Sequence, residues 1–162
     1  MAPDVSGTLP FEDGRFDLIT CLGALHHIAN AGAVVRELAR CLSADGVALI
    51  HEPIVSMGDW RKPRKGLTRR ERGIPLAIYR RLLAEAGFEV QRERLCLFQP
   101  IARLYLAFGR CAYDSRFATF LDEIVCRALA GNVSYHRTTL LERCSPTCVY
   151  SLLTRRAEAP AA

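Results

Sequence analysis

The stretch "FDLITCLGALHHIANAGAVVRELARCLSADGVALIHEP", residues 16–53, holds the pattern that decides the fold. Residues 16–22 form a short apolar run with β-branched members, which suits a strand buried on both faces. Val34, Val35, Leu38, Ala39 and Leu42 then recur at helical spacing, and Asn30 is placed to cap that helix. "SADG" reads as the turn that ends the helix, and "VALIHEP", 47–53, as a second apolar strand stopped by Pro53. Strand, helix and strand in this order describe two parallel neighbours joined by a crossover.

Outward from this unit the alternation continues. Residues 58–73 are basic, broken by glycine and without period, so they read as loop. "IPLAIYRRLLAEAGFEV" follows, with Pro75 in the first turn of a helix and Gly87 closing it, and 88–98 is a third strand. The region 101–143 changes character. Ile101, Leu104, Tyr105 and Phe108 keep helical spacing, as do Phe117, Phe120, Leu121, Ile124, Val125 and Leu129. "CVYSLLTRR", 148–156, reads as a last strand before a disordered tail, 157–162. The expected class is α/β with a largely parallel sheet and a helical insert.

Composition sets outer bounds. The chain has 162 residues, half of them hydrophobic and 24% charged, which suits one globular domain. No apolar run has the length of a membrane span, and "MAPDVSG" lacks the basic and apolar regions of a secretory signal. Seven cysteines fall without framework spacing, several inside apolar runs, so free thiols and a cytoplasmic setting are expected. Cys144 and Cys148 have no second pair at metal-ligand spacing, and no metal site is expected from them. The net charge of +5 rests almost wholly on arginine and concentrates in "RKPRKGLTRRER", 61–72. That run has Trp60 beside it but no interleaved aromatics for base stacking, so a solvated loop or lid is favoured over nucleic-acid binding.

"LPFEDGRFDLITCLGALHHIANAGAVVRELARCLSADGVALIHEP" resembles the second half of a class I S-adenosylmethionine-dependent methyltransferase, in the small-molecule branch that includes the quinone-biosynthesis C-methyltransferases. "LLAEAGFEV" is similar to that family's next helix and sixth strand, and "CVYSLLTRR" to its antiparallel seventh. The resemblance covers about 1–100 and 146–156 and leaves 101–143 outside it. It implies a partial Rossmann-like sheet with strands in the order 4-5-7-6, the last strand antiparallel, within a methyltransferase half-domain spanning 1–156. The departure is in the cofactor cradle. The family holds S-adenosylmethionine through a glycine-rich turn, where backbone N–H groups approach closely at positive φ. No G-x-G occurs anywhere in this sequence, so a truncated domain, inactive by itself, is expected.

The resemblance implies site residues position by position. It sets Val5 and Ser6, or Asp4 after a one-residue slip, against the adenine, with a solvated terminus as the plainer reading. Cys21 and Leu22 end the first strand at its carboxyl edge, where ligands of open α/β sheets sit; the resemblance puts Leu22 beside the cofactor, while simple core packing suits Cys21 better. His26 and His27 follow at the same edge. His27 is the candidate catalytic residue, as a base since histidine titrates near neutrality, with pocket lining and structural hydrogen bonding as the plainer readings. Glu52 has two plain readings, a helix cap or a solvated rim, beside a contact with substrate as the sharper one. The insert's aromatics read as core, with a substrate-covering lid as the sharper alternative.

The expected function is methyl transfer to a small-molecule acceptor. The competing readings are a non-catalytic remnant or partner subunit of a split methyltransferase, and a basic nucleic-acid-binding module. Without a neighbouring first strand, the 16–22 strand offers an open apolar edge, so a missing N-terminal half or a second copy is expected to cover it.

Overall fold

A computed structural model describes residues 7–59, 61–64, 66, 67 and 71–156. Four strands form one sheet in the order β1-β2-β4-β3: β1 is Phe16–Leu22, β2 Leu42–Pro53, β3 Phe88–Cys96 and β4 Cys148–Arg155. β1 and β2 run parallel, and β4 lies antiparallel to both β2 and β3. This is the sheet that the resemblance implied, with β1 at an edge among the described residues. The tail 157–162 lies outside the described residues, as do Asp4, Val5, Ser6 and Trp60.

Two helices cover one face. α1, Ala31–Cys41, buries Val34, Val35 and Ala39, and α2, Leu76–Glu85, buries Tyr79 and Leu83. They join Ala48 and Ile50 of β2 with Val149 and Leu153 of β4 in one core. These strand residues alternate along the chain because successive side chains point to opposite faces. Pro75 occupies the cap position of α2 rather than its first turn, and its carbonyl accepts the Tyr79 N–H at 2.9 Å.

The "SADG" segment departs from expectation. It does not separate helix from strand, because β2 begins at Leu42, directly after α1. The extra residues are absorbed in the pairing with β1: Phe16 faces Leu42, and the next pair is Leu18 with Val47. Within this bulge the Ser43 hydroxyl donates to Asp17 at 2.7 Å. Upstream, "LPFEDG" is fastened to α1. Arg40 donates to the carbonyls of Phe11 and Leu9 and pairs with Asp13 and Glu37, while Glu37 accepts the Leu9 N–H at 2.9 Å.

The segment between β3 and β4 carries α3, Gln99–Ala107, α4, Arg116–Ala128, and the short α5, Leu140–Arg143. The core reading fails for three of its four aromatics, while Tyr105 is half-buried. Phe117 is 68% exposed and Phe108 75%, with Phe120 likewise outward. What α4 buries is Ala118, Asp122 and Cys126, one residue per turn at a spacing of four. The buried stripe is thus small and polar. The Asp122 carboxylate accepts the N–H groups of Leu97 and Phe98 at 3.0 and 2.7 Å, and so pins α4 to the exit of β3. Leu97 sits at φ +65°, a strained position for a branched side chain, and Thr147 holds its carbonyl with a 2.8 Å bond.

Candidate functional site

The site is built where β1 and β2 end side by side. β1 leaves the sheet through Gly23 at φ +65°, a left-handed turn that glycine adopts without strain, and its N–H donates to the His51 carbonyl at 2.7 Å. The chain then makes one tight helical turn, Leu25–His27, which buries Leu25 and holds both histidines at the carboxyl edge.

Glu52 organises this turn. Its side chain is fully buried, and it accepts the backbone N–H groups of Ala24, Leu25 and His26 at 2.9, 2.7 and 3.2 Å. Its second oxygen lies 2.8 Å from His26 Nδ1. A buried carboxylate is costly unless its lone pairs are met, and here three N–H groups and an imidazole meet them. Of the two plain readings of Glu52, the cap fits and the solvated rim does not.

Leu22 is 58% exposed and projects onto the sheet face opposite α1 and α2. It heads a cross-strand row in which Leu22 faces His51, His51 faces Tyr150, and Tyr150 faces Arg94. α4 approaches the same row, and between them lies an apolar cavity of about 430 Å³ lined by Leu22, His51, Arg94, Tyr113, Asp122 and Tyr150. Burial, the larger effect, moves the His51 pKa below the usual histidine value against the pull of Glu52. Burial thus favours its neutral imidazole.

Cys21 points to the opposite, helix-covered face and is half-buried. Burial and the neighbouring Glu52 charge push its thiol up to about 11, so it is not a thiolate nucleophile at neutral pH. His27 is about half exposed, its ring centroid 4.0 Å from that of His26. The structure therefore brings Leu22, His27 and the Glu52 clasp to one edge, and turns Cys21 away from the face that Leu22 presents.

Sequence reasoning missed His51 and Glu71. His51 was hidden by the strand pattern, although its alternation with Glu52 already put it on the other face. Glu71 reaches the histidines because Gly73 allows a close crossing. A Cβ there would collide with the carbonyl oxygens of Pro53 and Val55, and the Gly73 and Ile74 N–H groups bond these same carbonyls at 3.1 and 2.8 Å. The G-I-P segment in the sequence was the available signal.

Residues 3–50 match the methyltransferase domain family. The uncharacterized methyltransferase YcgJ of Bacillus subtilis is 49% identical over 43 residues, 26% of this chain and 17% of that protein. Its crystal structure superposes with a TM-score of 0.50 at 19% identity, covering 95% of this chain and 69% of that one. The 3–50 segment is thus similar in sequence to methyltransferase domains, and the sheet has the fold of the solved structures it superposes on. The ubiquinone/menaquinone biosynthesis C-methyltransferase UbiE of Stenotrophomonas maltophilia is 38% identical over 55 residues, 34% of this chain and 22% of that enzyme. Among solved structures, the [4+2]-cyclase SpnF gives a TM-score of 0.56 at 16% identity, over 98% of this chain and 57% of that protein. The matched segment thus spans about a fifth of the curated relatives' length. The methyltransferase fold also carries a cyclase, so the reaction must be argued from the site.

The residues present fit S-adenosylmethionine only in part. Leu22 and the Gly23 turn can form one apolar wall at the carboxyl edge of the sheet, where this fold class binds ligands. The sequence has no glycine-rich turn to set close N–H donors against the cofactor's other side. Among the described residues, no helix is long and apolar enough to cross a membrane.

Proposed function

We propose that this chain forms the C-terminal wall of an S-adenosylmethionine-dependent methyltransferase acting on a small-molecule acceptor. The observation that carries the reading is the Glu52 clasp. It fixes the β1 exit so that Leu22 and His27 converge at one sheet edge, within the segment that is methyltransferase-like in sequence. In this reading Leu22 lines the cofactor, and Asp4, Val5 or Ser6 contacts its adenine. His27 faces the acceptor, as pocket wall or as base. The bound cofactor supplies the methyl group; this chain's residues supply position, with rigid placement as their main contribution to rate.

Cofactor affinity then requires donors beyond those in this sequence, and the open β1 edge is where the elements bearing them attach. β1 has an unpaired ladder edge among the described residues, and Leu18 beside Leu22 is 61% exposed. An apolar edge strand without lysine or proline is a pairing template. The same observation favours a second reading, in which the chain is a non-catalytic partner subunit that uses this edge for association.

Calorimetry with S-adenosylmethionine tests both. The chain alone is expected to show no binding at micromolar cofactor. Joined to a segment that carries a strand followed by a glycine-rich turn, it is expected to gain micromolar affinity and to transfer a labelled methyl group to small-molecule acceptors. In that assembly, His27→Ala lowers transfer at least tenfold while the fold persists. Micromolar binding by the chain alone would refute the shared-site reading. Cofactor binding by the assembly without methyl transfer to any small molecule would favour the partner-subunit reading.

A further inference from the structure

We propose that His26, His27 and Glu71 form a binding site for a divalent transition-metal ion of the zinc and cobalt class. Each residue contributes one ligand atom, and the three atoms all lie within 4.8 Å of one another. The inference goes beyond methyl transfer and does not depend on it.

The tautomer of His26 carries the first step. The Glu52 carboxylate already accepts three backbone N–H groups, so it is an acceptor, and the imidazole atom 2.8 Å from it must be the protonated one. In neutral His26 the proton therefore sits on Nδ1, and Nε2 keeps its lone pair. That lone pair is the form in which imidazole binds metals, and a carboxylate behind the ring both orients it and raises its basicity.

The spacing carries the second. His26 Nε2 lies 3.8 Å from one Glu71 oxygen, and His27 Nδ1 lies 4.0 Å from the other. Both distances exceed hydrogen-bonding range. Ligand atoms held about 2.0–2.2 Å from a tetrahedral zinc ion lie roughly 3.4 Å apart, so side-chain shifts of up to about 1.4 Å would bring these atoms, now within 4.8 Å of one another, to bonding positions. Two imidazoles and a carboxylate are borderline ligands suited to zinc or cobalt, and such a set leaves a coordination position open to solvent or an acceptor oxygen.

Burial and backbone carry the third. The side chains of His26 and Glu71 are 6% and 11% exposed, so both are already largely desolvated before any ion binds. Gly73 fixes the crossing that sets Glu71 over the histidines, so the ligand from the loop is positioned by the sheet's own carbonyls. A bound ion would tie that loop to the exit of β1.

The test is titration of the full chain with Co²⁺ alone, thiols kept reduced, read by visible absorption. The expected result is saturation at one equivalent, with ligand-field bands of a four- or five-coordinate nitrogen–oxygen site and no sulfur-to-metal charge-transfer band. His27→Ala and Glu71→Gln should each weaken binding at least tenfold. Both side chains lie outside the core cluster, and circular dichroism checks that the variants fold. Zn²⁺ should raise the melting midpoint of the native chain and leave that of Glu71→Gln unmoved, because an ion that binds only the folded state stabilises it. No saturable binding below millimolar Co²⁺ would overturn the proposal. So would binding unaltered in both variants, or a charge-transfer band that assigns the ion to cysteine. None of these outcomes bears on cofactor binding or methyl transfer, so failure here is separable from failure of the methyltransferase reading.

Discussion

The strand–helix–strand unit, 16–53, and the helical segment between β3 and β4 use the same device to opposite ends. In each, a buried carboxylate accepts backbone N–H groups at the exit of a strand. Glu52 closes the turn after β1, and Asp122 closes the turn after β3. In the first unit the clasp completes a packed core, since α1 lays its apolar stripe on the sheet. In the second, the clasp faces inward while the large side chains of α4 face out. One region is held by burial and the other by its polar anchor. The difference separates the part of the molecule that sets the site from the part whose large apolar side chains are exposed.

The comparison is tested first by removing each clasp. Glu52→Gln keeps the shape but turns an amide nitrogen toward donors, leaving buried N–H groups and His26 unmatched. A loss of about 3–5 kcal/mol in urea unfolding is expected, large against the roughly 5–15 kcal/mol of a whole domain. Asp122→Asn removes a charged acceptor from two N–H groups and should cost about 2 kcal/mol. Its amide-exchange effects should centre on residues 97–128, with little change in β1 or β2. Equal losses from the two substitutions, or exchange that spreads evenly through the sheet after Asp122→Asn, would erase the proposed distinction.

How much of this could be read in the sequence follows the same division. The sheet was legible because apolar runs at 16–22 and 47–53, each bounded by turn residues, leave little choice of element. The strand order and the antiparallel last strand came from the family resemblance. The faces of α4 were not legible. Helical periodicity groups Phe117, Phe120, Leu121 and Ile124 on one side, but periodicity does not say which side the sheet meets. The answer lay in Asp122, whose value as an anchor depends on two backbone N–H groups left unpaired by the strained turn at Leu97. At the site, the location of Leu22 and His27 at the end of β1 was legible in the sequence, while their roles rest on the proposal. Glu71 was not, since it lies 19 residues beyond Glu52 in sequence and meets the histidines beside the close crossing at Gly73.

A weaker effect on stability is expected from the outward aromatics. Replacing Phe117 and Phe120 together by serine removes side chains that are mostly in water, so the unfolding free energy should change by no more than about 0.5 kcal/mol per site. Self-association, read by light scattering across a tenfold concentration range, should fall if these rings mediate contact. A cost of several kcal/mol instead would show that they pack as core, and would return α4 to the same class as α1.

The smallest expected effects are local and depend on pH, and each region supplies one. Glu37 in α1 and Glu142 in α5 both have their carboxyl pKa lowered to about 2. For Glu37 the main cause is the hydrogen bond from Arg40, followed by the Leu9 N–H. For Glu142 it is the backbone N–H of Thr139, in a reciprocal capping box where Thr139 accepts the Glu142 N–H at 3.2 Å. A carboxyl whose pKa is lower folded than unfolded binds fewer protons in the folded state, so it stabilises above the ordinary value of 4.5 and stops doing so as pH falls toward about 2. Protection of the Thr138 and Thr139 amides, taken relative to their intrinsic exchange rates, should therefore fall across that window, and that of the Leu9 amide should do the same. In Glu142→Gln the α5 amides should lose this pH dependence while Leu9 keeps it, since Gln can fill the box without titrating. The two responses should differ in reach. Releasing Glu37 loosens "LPFEDG" from α1, beside the packed unit, whereas releasing Glu142 frays a four-residue helix in the segment held by its anchor. If acid exchange at Thr139 were unchanged by Glu142→Gln, the capping box would not be the source of the shift, and the two regions would not titrate independently.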